Sequence, residues 1–190
     1  FVLAVDTSGS IDPEEARRLL AESSYGGPEG LPPIVYTTSG FSTPSSVVVA
    51  LLDMWTENLG VQVQVRFLDP DTFFYNLEAA RDNLFDYGWI TDYPDPHNFL
   101  DVLFHSGADN NVGKYNNAQV DALLEEARLE QDGQRRVDIY RQVEALLVED
   151  AAAIPLNFGR SYMAVKPYVK DLVFTPFGMV DLRRVFLESR

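Results

Sequence analysis

Segments typical of strands alternate with segments typical of helices between residues 34 and 90, and this alternation constrains the fold more than any other feature of the chain. Residues 34–38 and 61–67 are rich in β-branched side chains, and residues 61–67 alternate between apolar and polar. An apolar, aromatic segment at 85–90 resembles a third strand. Apolar side chains at helical spacing fill the intervals at 44–59 and 70–80. Strands joined by crossover helices pair in parallel, so we expect an α/β fold with a mostly parallel sheet flanked by helices.

Turn and capping residues mark where these helices begin and end. Asp12 precedes Pro13 and Thr43 precedes Pro44, which is the order expected when an N-cap residue is followed by proline in the first helical position. Gly60 follows the second helical pattern, where a left-handed residue commonly ends a helix. Later in the chain the patterns predict helices at 98–104, 117–131 and 134–150 and short strands at 153–158 and 162–165.

The charge and composition of the chain exclude several classes of function. The formal net charge is −14, whereas phosphate binding needs clustered lysine and arginine, so a nucleic acid is not an expected partner. A hydrophobic share of 46% over 190 residues is typical of a globular domain with its own core. Because the chain has no cysteine, disulfides, thiolate catalysis and thiolate-bound metals are ruled out.

The polar loop after the third predicted strand is the strongest candidate for a binding site. From Phe85 the sequence reads FDYGWITDYPDPHNFL, so an apolar strand leads directly into two carboxylates and two prolines. Ligand sites in α/β folds lie at the carboxyl ends of strands, and proline restricts the backbone around Asp92 and Asp95. Trp89 and Tyr93 can shield Asp92 from water, and a shielded carboxylate favours a bound cation.

Two other roles for these aspartates have to be weighed. Aspartate in such a loop more often forms a turn or caps a helix, and we expect this structural role for Asp95, which precedes Pro96. Alternatively, Asp92 and Asp95 could be the acid and base of a hydrolase. The sequence contains no nucleophile elbow, and His97 and His105 lack metal-ligand spacing, so the hydrolase hypothesis depends on the two carboxylates alone.

A further candidate site lies near the beginning of the sequence. The residues VLAVDTSGS place Asp6, Ser8 and Ser10 directly after an apolar segment. This arrangement resembles the metal-ion site of von Willebrand A domains, where carboxylate and hydroxyl oxygens hold Mg²⁺ in an adhesion module. The rest of the chain lacks the pattern of that fold, and a polar linker ahead of the Asp12 helix explains the same residues.

Six segments in the same order resemble the family 5 extracellular solute-binding proteins, the peptide-, nickel- and sugar-binding components of ABC importers. Residues 12–22 (DPEEARRLLAE), 51–65 and 88–100 (GWITDYPDPHNFL) are three of these segments. The others are residues 115–124 (YNNAQVDALL), residues 127–140, and the pair AIPL and VKPYV that begin at Ala153 and Val165. Each match is weak alone, and the shared order makes the resemblance specific.

The resemblance implies a type II periplasmic-binding-protein fold, in which two lobes close on a ligand. Residues 1–190 would form a single C-terminal lobe, with a leading strand and linker at 1–10 and a wrapping tail at 166–190. The chain would then be a fragment without the N-terminal lobe. The implied role is to bind peptides for an ABC importer, without enzymatic activity or a cofactor. The implied partners are a peptide or other small ligand, the N-terminal lobe and the membrane subunits of the transporter. The implied location is extracellular or periplasmic, with any membrane anchor outside this chain.

The same resemblance assigns roles to individual side chains. In peptide-binding relatives the aspartate at the position of Asp92 pairs with the α-ammonium of the ligand, and Trp89 and Tyr93 line the cleft beside it. Asn157 and Phe158 lie where such relatives often carry aromatic residues that face the ligand. Asn157 departs from that pattern, and this departure points to a different ligand.

Overall fold

The computed structural model describes residues 12–40, 42–154, 162–175 and 178–188. Three predictions lie outside the described residues: the leading strand and linker at 1–10, the metal site at Asp6, Ser8 and Ser10, and the ligand contacts at Asn157 and Phe158. The chain divides into two compact units. The first contains the described residues up to Gly88 with residues 112–115 and 147–154, and the second contains the other described residues.

Regular structure agrees with the predicted alternation of strands and helices. In chain order, the main helices and strands are α1 (Pro13–Glu22), β1 (Ile34–Ser39), α2 (Ser46–Leu59), β2 (Val63–Leu68), α3 (Pro70–Ala80), β3 (Leu84–Phe85), α4 (His97–Phe104), α5 (Ala118–Leu129), α6 (Gly133–Glu149), β4 (Val169–Lys170), β5 (Val173–Phe174), β6 (Val180–Asp181) and β7 (Phe186–Leu187). Short 3-10 turns occupy Pro28–Gly30 and Leu182–Arg184.

The first unit is built around a three-stranded parallel sheet in the order β2-β1-β3. The central strand β1 pairs with β2 from Ile34 opposite Val63 to Ser39 opposite Leu68. It pairs with β3 only through two residues, with Tyr36 opposite Leu84. The parallel sheet with crossover helices is therefore confirmed.

Side chains from α1, β1 and α2 form the core of this unit. The buried cluster consists of Ala16, Ile34, Leu51, Trp55, Leu59 and Val61. Trp55 is the largest of them and is only 3% exposed. Burying an aromatic side chain of this size contributes about 1.5–3 kcal/mol, so Trp55 is a major source of the unit's stability.

The helix boundaries test the predicted caps. Asp12 accepts hydrogen bonds from the backbone N–H groups of the first turn of α1, and Asp69 does the same for α3. Gly60 ends α2 with a left-handed φ of 69°, as predicted. The predicted cap at Thr43 is wrong, because the Ser45 side chain accepts from Val48 N–H and α2 begins at Ser46, two residues later than predicted.

The third strand is shorter than the sequence predicts. Its pairing with β1 stops at Phe85, and β1 itself ends at Ser39, so residues 88–90 have no strand to pair with. Asp86 also turns its carboxylate to the Tyr36 and Thr38 hydroxyls of β1. Burial and this carboxylate raise the pKa of Tyr36 above its ordinary value. The segment after Phe85 is therefore a loop rather than the strand predicted at 85–90.

The second unit contains α4, α5, most of α6 and two small antiparallel strand pairs. Val120, Leu124 and Ala127 lie on one face of α5 and are fully buried. Near the end of the chain β4 pairs with β7 and β5 with β6. The strand predicted at 162–165 is wrong, because its apolar side chains are largely exposed and have no buried face to hold them. Of the strand predicted at 153–158, Ala153 and Ile154 have no strand structure and the rest lies outside the described residues.

Candidate ligand-binding site

The loop at 89–96 is organised by one buried side chain, Asn98, in the first turn of α4. Asn98 is 2% exposed. Its Oδ1 accepts a hydrogen bond from the Trp89 indole Nε1–H at 2.9 Å and another from the Asp92 backbone N–H at 3.0 Å. Its Nδ2 donates to the Asp92 carboxylate at 3.4 Å. The side chains of Trp89 and Asp92, predicted to share a site, are thus connected through a third residue.

Asp95 has a structural role, in agreement with the prediction for it. One carboxylate oxygen accepts from the His97 backbone N–H at 2.9 Å, which holds the turn that leads into α4. Both oxygens also accept from the Arg136 guanidinium, at 2.6 and 2.9 Å. Arg136 holds the pKa of Asp95 below its usual value. Because Asp95 stays ionised and bound, it is unsuited to donate a proton, and the hydrolase hypothesis loses one of its two groups.

A second arginine neutralises Asp101, the next carboxylate along the chain. The Arg128 guanidinium donates to both Asp101 oxygens at 2.7 and 2.8 Å, and the Asp101 side chain is nearly buried. This partner raises the pKa of Arg128. His97 Nε2 lies 3.6 Å from the same carboxylate, and His97 Nδ1 is 2.6 Å from the Tyr93 hydroxyl. Tyr93 thus contacts the His97 ring, whose other nitrogen lies near the Asp101–Arg128 ion pair.

Asp92 differs from its two acidic neighbours. Its side chain is exposed, and within the part of the chain that the structure describes no basic side chain forms an ion pair with it. Trp89 is half-buried, Tyr93 is 40% exposed and Ile90 is 90% exposed. The loop therefore presents one uncompensated carboxylate among apolar and aromatic groups, which suits a cationic or ammonium-bearing ligand.

Sequence reasoning missed the residues that hold this loop. Asn98 could have been recognised, because a polar residue in the first turn of an apolar helix can turn back toward the preceding loop. Arg128 and Arg136 give no such signal, since Arg136 reaches Asp95 across 41 residues of sequence. Among the described residues, no group of three or more histidine or acidic side chains is placed to hold a metal ion.

No helix in the described ranges is long and apolar enough to cross a membrane.

Solved structures with a similar fold define the class of protein. The chain superposes on clavulanic acid biosynthesis oligopeptide binding protein 2 with a TM-score of 0.77 at 21% identity, covering 97% of this chain and 35% of that one. It superposes on the unliganded open form of the murein tripeptide binding protein MppA with a TM-score of 0.65 at 26% identity, covering 73% of this chain and 27% of that one. The fold is that of part of a type II periplasmic binding protein.

The family follows from the sequence match. The chain belongs to the bacterial extracellular solute-binding proteins, family 5, whose family model matches residues 4–111. It is 31% identical over 160 residues to the periplasmic oligopeptide-binding protein OppA of Salmonella typhimurium, and 29% identical over 180 residues to heme-binding protein A of Haemophilus influenzae. These matches cover 82% and 88% of this chain but only 28% and 31% of the relatives, so the chain spans about a third of their length or less.

Proposed function

We propose that this chain is the C-terminal lobe of the substrate-binding component of an ABC importer, and that the component binds peptides by their free amino terminus. The observation that carries the proposal is the uneven pairing of three aspartates. Asp95 and Asp101 are each bound by an arginine, whereas Asp92 is exposed and has no basic partner among the described residues. A carboxylate left in this state is free to pair with an ammonium group from outside.

Pairing of a ligand ammonium with the Asp92 carboxylate would contribute measurably to the binding free energy. A charge-assisted hydrogen bond between an ammonium and a carboxylate contributes about 1.5–3 kcal/mol when water is partly excluded. Trp89 and Tyr93 would supply that exclusion on either side of Asp92, and they are proposed as ligand contacts. Asn157 and Phe158 are proposed as further contacts, on the strength of the family resemblance alone.

The wider assignment also rests on the family. An N-terminal lobe would close over the ligand, membrane subunits of the transporter would receive it, and binding would take place in the periplasm or outside the cell. Relatives such as OppA of Salmonella typhimurium carry periplasmic oligopeptide binding in their names. The family consists of solute-binding proteins, and the proposal accordingly includes no catalytic residue.

The experiment is a calorimetric titration of the whole protein that carries this chain with a panel of short peptides. Each peptide is used with a free amino terminus and in an N-acetylated form, and heme is included because one relative is named for it. We expect Asp92→Asn to weaken the free-amine peptides about tenfold or more, because the ligand ammonium loses its negative partner and meets only a neutral amide. N-acetylated peptides should change little.

The control variant is Asp109→Asn, which removes the same charge from another exposed aspartate of the same unit. It should leave both kinds of peptide unaffected. Equal weakening of free-amine and acetylated peptides by Asp92→Asn would remove the proposed role of Asp92. Hydrolysis of a peptide during the titration would contradict the binding-protein assignment itself.

A further inference from the structure

We infer that Asn98 is the positioning residue of the ligand site: its buried amide fixes the Trp89 indole and the Asp92 carboxylate in one arrangement, and so sets the preference for a free amino group. The functional part of this inference rests on the proposed function. The structural part, which concerns what holds Trp89 and Asp92, is independent of any ligand. Asn98 itself, at 2% exposure, is too buried to be a contact for a large ligand.

The orientation of the Asn98 amide follows from its partners. The Trp89 Nε1–H and the Asp92 backbone N–H are both donors without acceptor capacity, and they lie 2.9 and 3.0 Å from the same Asn98 atom. That atom must be the oxygen, so the amide cannot be flipped. The amide nitrogen is therefore the atom that faces Asp92 Oδ2, at 3.4 Å.

The backbone of Asn98 is fixed as firmly as its side chain. Its N–H donates to the Asp95 carbonyl oxygen at 3.0 Å, and Asp95 is in turn bound by Arg136. The residue also lies on α4, so its side chain projects from a regular element rather than from a loop. A site held by a buried group on a helix is more precisely oriented than one held by loop contacts.

Asparagine meets these demands better than the residues nearest to it in size. Leucine has the same number and branching of side-chain heavy atoms but would leave the Trp89 and Asp92 N–H donors without their acceptor. Aspartate keeps the acceptor but replaces the amide donor with a second carboxylate oxygen facing Asp92. The two substitutions therefore separate the anchoring of Trp89 from the orientation of the Asp92 carboxylate.

The first measurement needs no ligand. In the whole protein labelled with 15N, the Trp89 indole N–H resonance is assigned by its loss in Trp89→Phe. We expect Asn98→Leu to shift this resonance toward the solvent-exposed position and to speed its hydrogen exchange at least tenfold, since its acceptor is gone. Asn98→Asp should leave the resonance near its original position.

The control is Asn111→Leu, which removes another asparagine of 2% exposure from the same unit. The Asn111 side chain donates to the His105 carbonyl oxygen at 3.3 Å. A general loss of stability from removing a buried amide would appear in this variant too. Only Asn98→Leu should move the Trp89 resonance.

The second measurement is the ratio of affinities for free-amine and N-acetylated peptides. We expect Asn98→Leu to reduce this ratio about tenfold, whereas Asn111→Leu should leave it unchanged.

In Asn98→Asp two carboxylates face each other and share a proton, which they release as the pH rises. Free-amine affinity should then increase with pH relative to the original protein, and acetylated peptides should show no such trend. This variant keeps the test open if Asn98→Leu does not fold.

The outcomes separate the inference from the proposed function. An unmoved Trp89 resonance in Asn98→Leu would refute the anchoring, whatever the peptides do. A moved resonance with equal losses for both kinds of peptide would refute the role in ligand preference. If the original protein binds no peptide at all, the proposed function fails, while the indole measurement still decides whether Asn98 holds Trp89.

Discussion

At the scale of single residues, three aspartates within ten positions act differently because different groups face them. Arg136 binds Asp95, Arg128 binds Asp101, and Asn98 offers Asp92 only one amide N–H. Each arginine neutralises the carboxylate it binds, so Asp92 carries the one negative charge of the three that is not neutralised by an ion pair. Local charge in this site is thus controlled by side chains of α5 and α6, far from the loop in sequence.

We expect Asp95→Asn to lower the free energy of unfolding by about 1–2 kcal/mol at pH 7, because it removes a two-point ion pair from a partly exposed site where water weakens it. Since Arg136 lowers the pKa of Asp95 in the folded protein, this contribution is present above the unfolded pKa of about 4. It disappears as the pH falls through the folded pKa.

Urea denaturation at pH 7 and at pH 3 measures both effects. The difference between Asp95→Asn and the original protein should be large at pH 7 and smaller at pH 3. Asp109→Asn serves again as the control for losing one exposed negative charge. A difference that is equal at the two pH values would show that the ion pair does not carry the effect.

The sequence alone predicted which aspartate is structural, since Asp95 is followed by Pro96 and a helix. It could not predict what binds each carboxylate, because Arg128 and Arg136 come from helices whose docking depends on the tertiary fold. The place of Asn98 in the first turn of α4 did indicate a contact with the preceding loop. That the contact joins both Trp89 and Asp92 depends on the depth at which Asn98 is buried, which the sequence does not give.

At the scale of elements, the end of α2 depends on one backbone conformation. Gly60 has a φ of 69°, and its N–H donates to the Thr56 carbonyl oxygen at 3.1 Å. A Cβ at this position would meet the Pro28 ring at an ordinary 3.5 Å, so space is available and only the backbone strain remains. The cost of substitution should therefore reflect the left-handed conformation alone.

We expect Gly60→Ala to reduce the free energy of unfolding by about 1–2 kcal/mol, because a Cβ disfavours the left-handed region. Gly60→Asn should cost less, because asparagine tolerates that region better than alanine does. Thermal denaturation followed by circular dichroism compares the two variants directly. Equal losses would mean that the conformation of Gly60 is not what limits the substitution.

The end of an element was predicted best where a capping residue in the sequence marks it. It was predicted poorly where pairing with another strand determines the length. The caps at Asp12 and Gly60 were recognisable, because each acts on its own helix, whereas the similar signal at Thr43 was wrong because Ser45 caps α2. The length of β3 was overestimated, because its pairing with β1 stops at Phe85 and β1 itself ends at Ser39. Apolar residues beyond Phe85 look like a strand but have nothing to pair with.

At the scale of the whole chain, the parallel sheet was predictable from the order of strands and helices, since crossover connections leave few alternatives. The division into two compact units was not, because the first unit takes residues 112–115 and 147–154 from far along the chain. Nothing in their local composition marks these short segments as parts of that unit.

The central position of β1 has a consequence for how the chain acquires its structure. Tyr36 bonds to Asp86 across 50 residues, and both neighbours of β1 follow it in the chain. During synthesis β1 therefore emerges with both edges unpaired.

Contacts over such separations form slowly, whereas helical contacts within α5 form early. Pulse-labelled hydrogen exchange during refolding should find the α5 amides protected before those of β1, and simultaneous protection would contradict this order. The central strand of the sheet would then be completed late, and a nascent chain would depend longest on protection from aggregation at that strand.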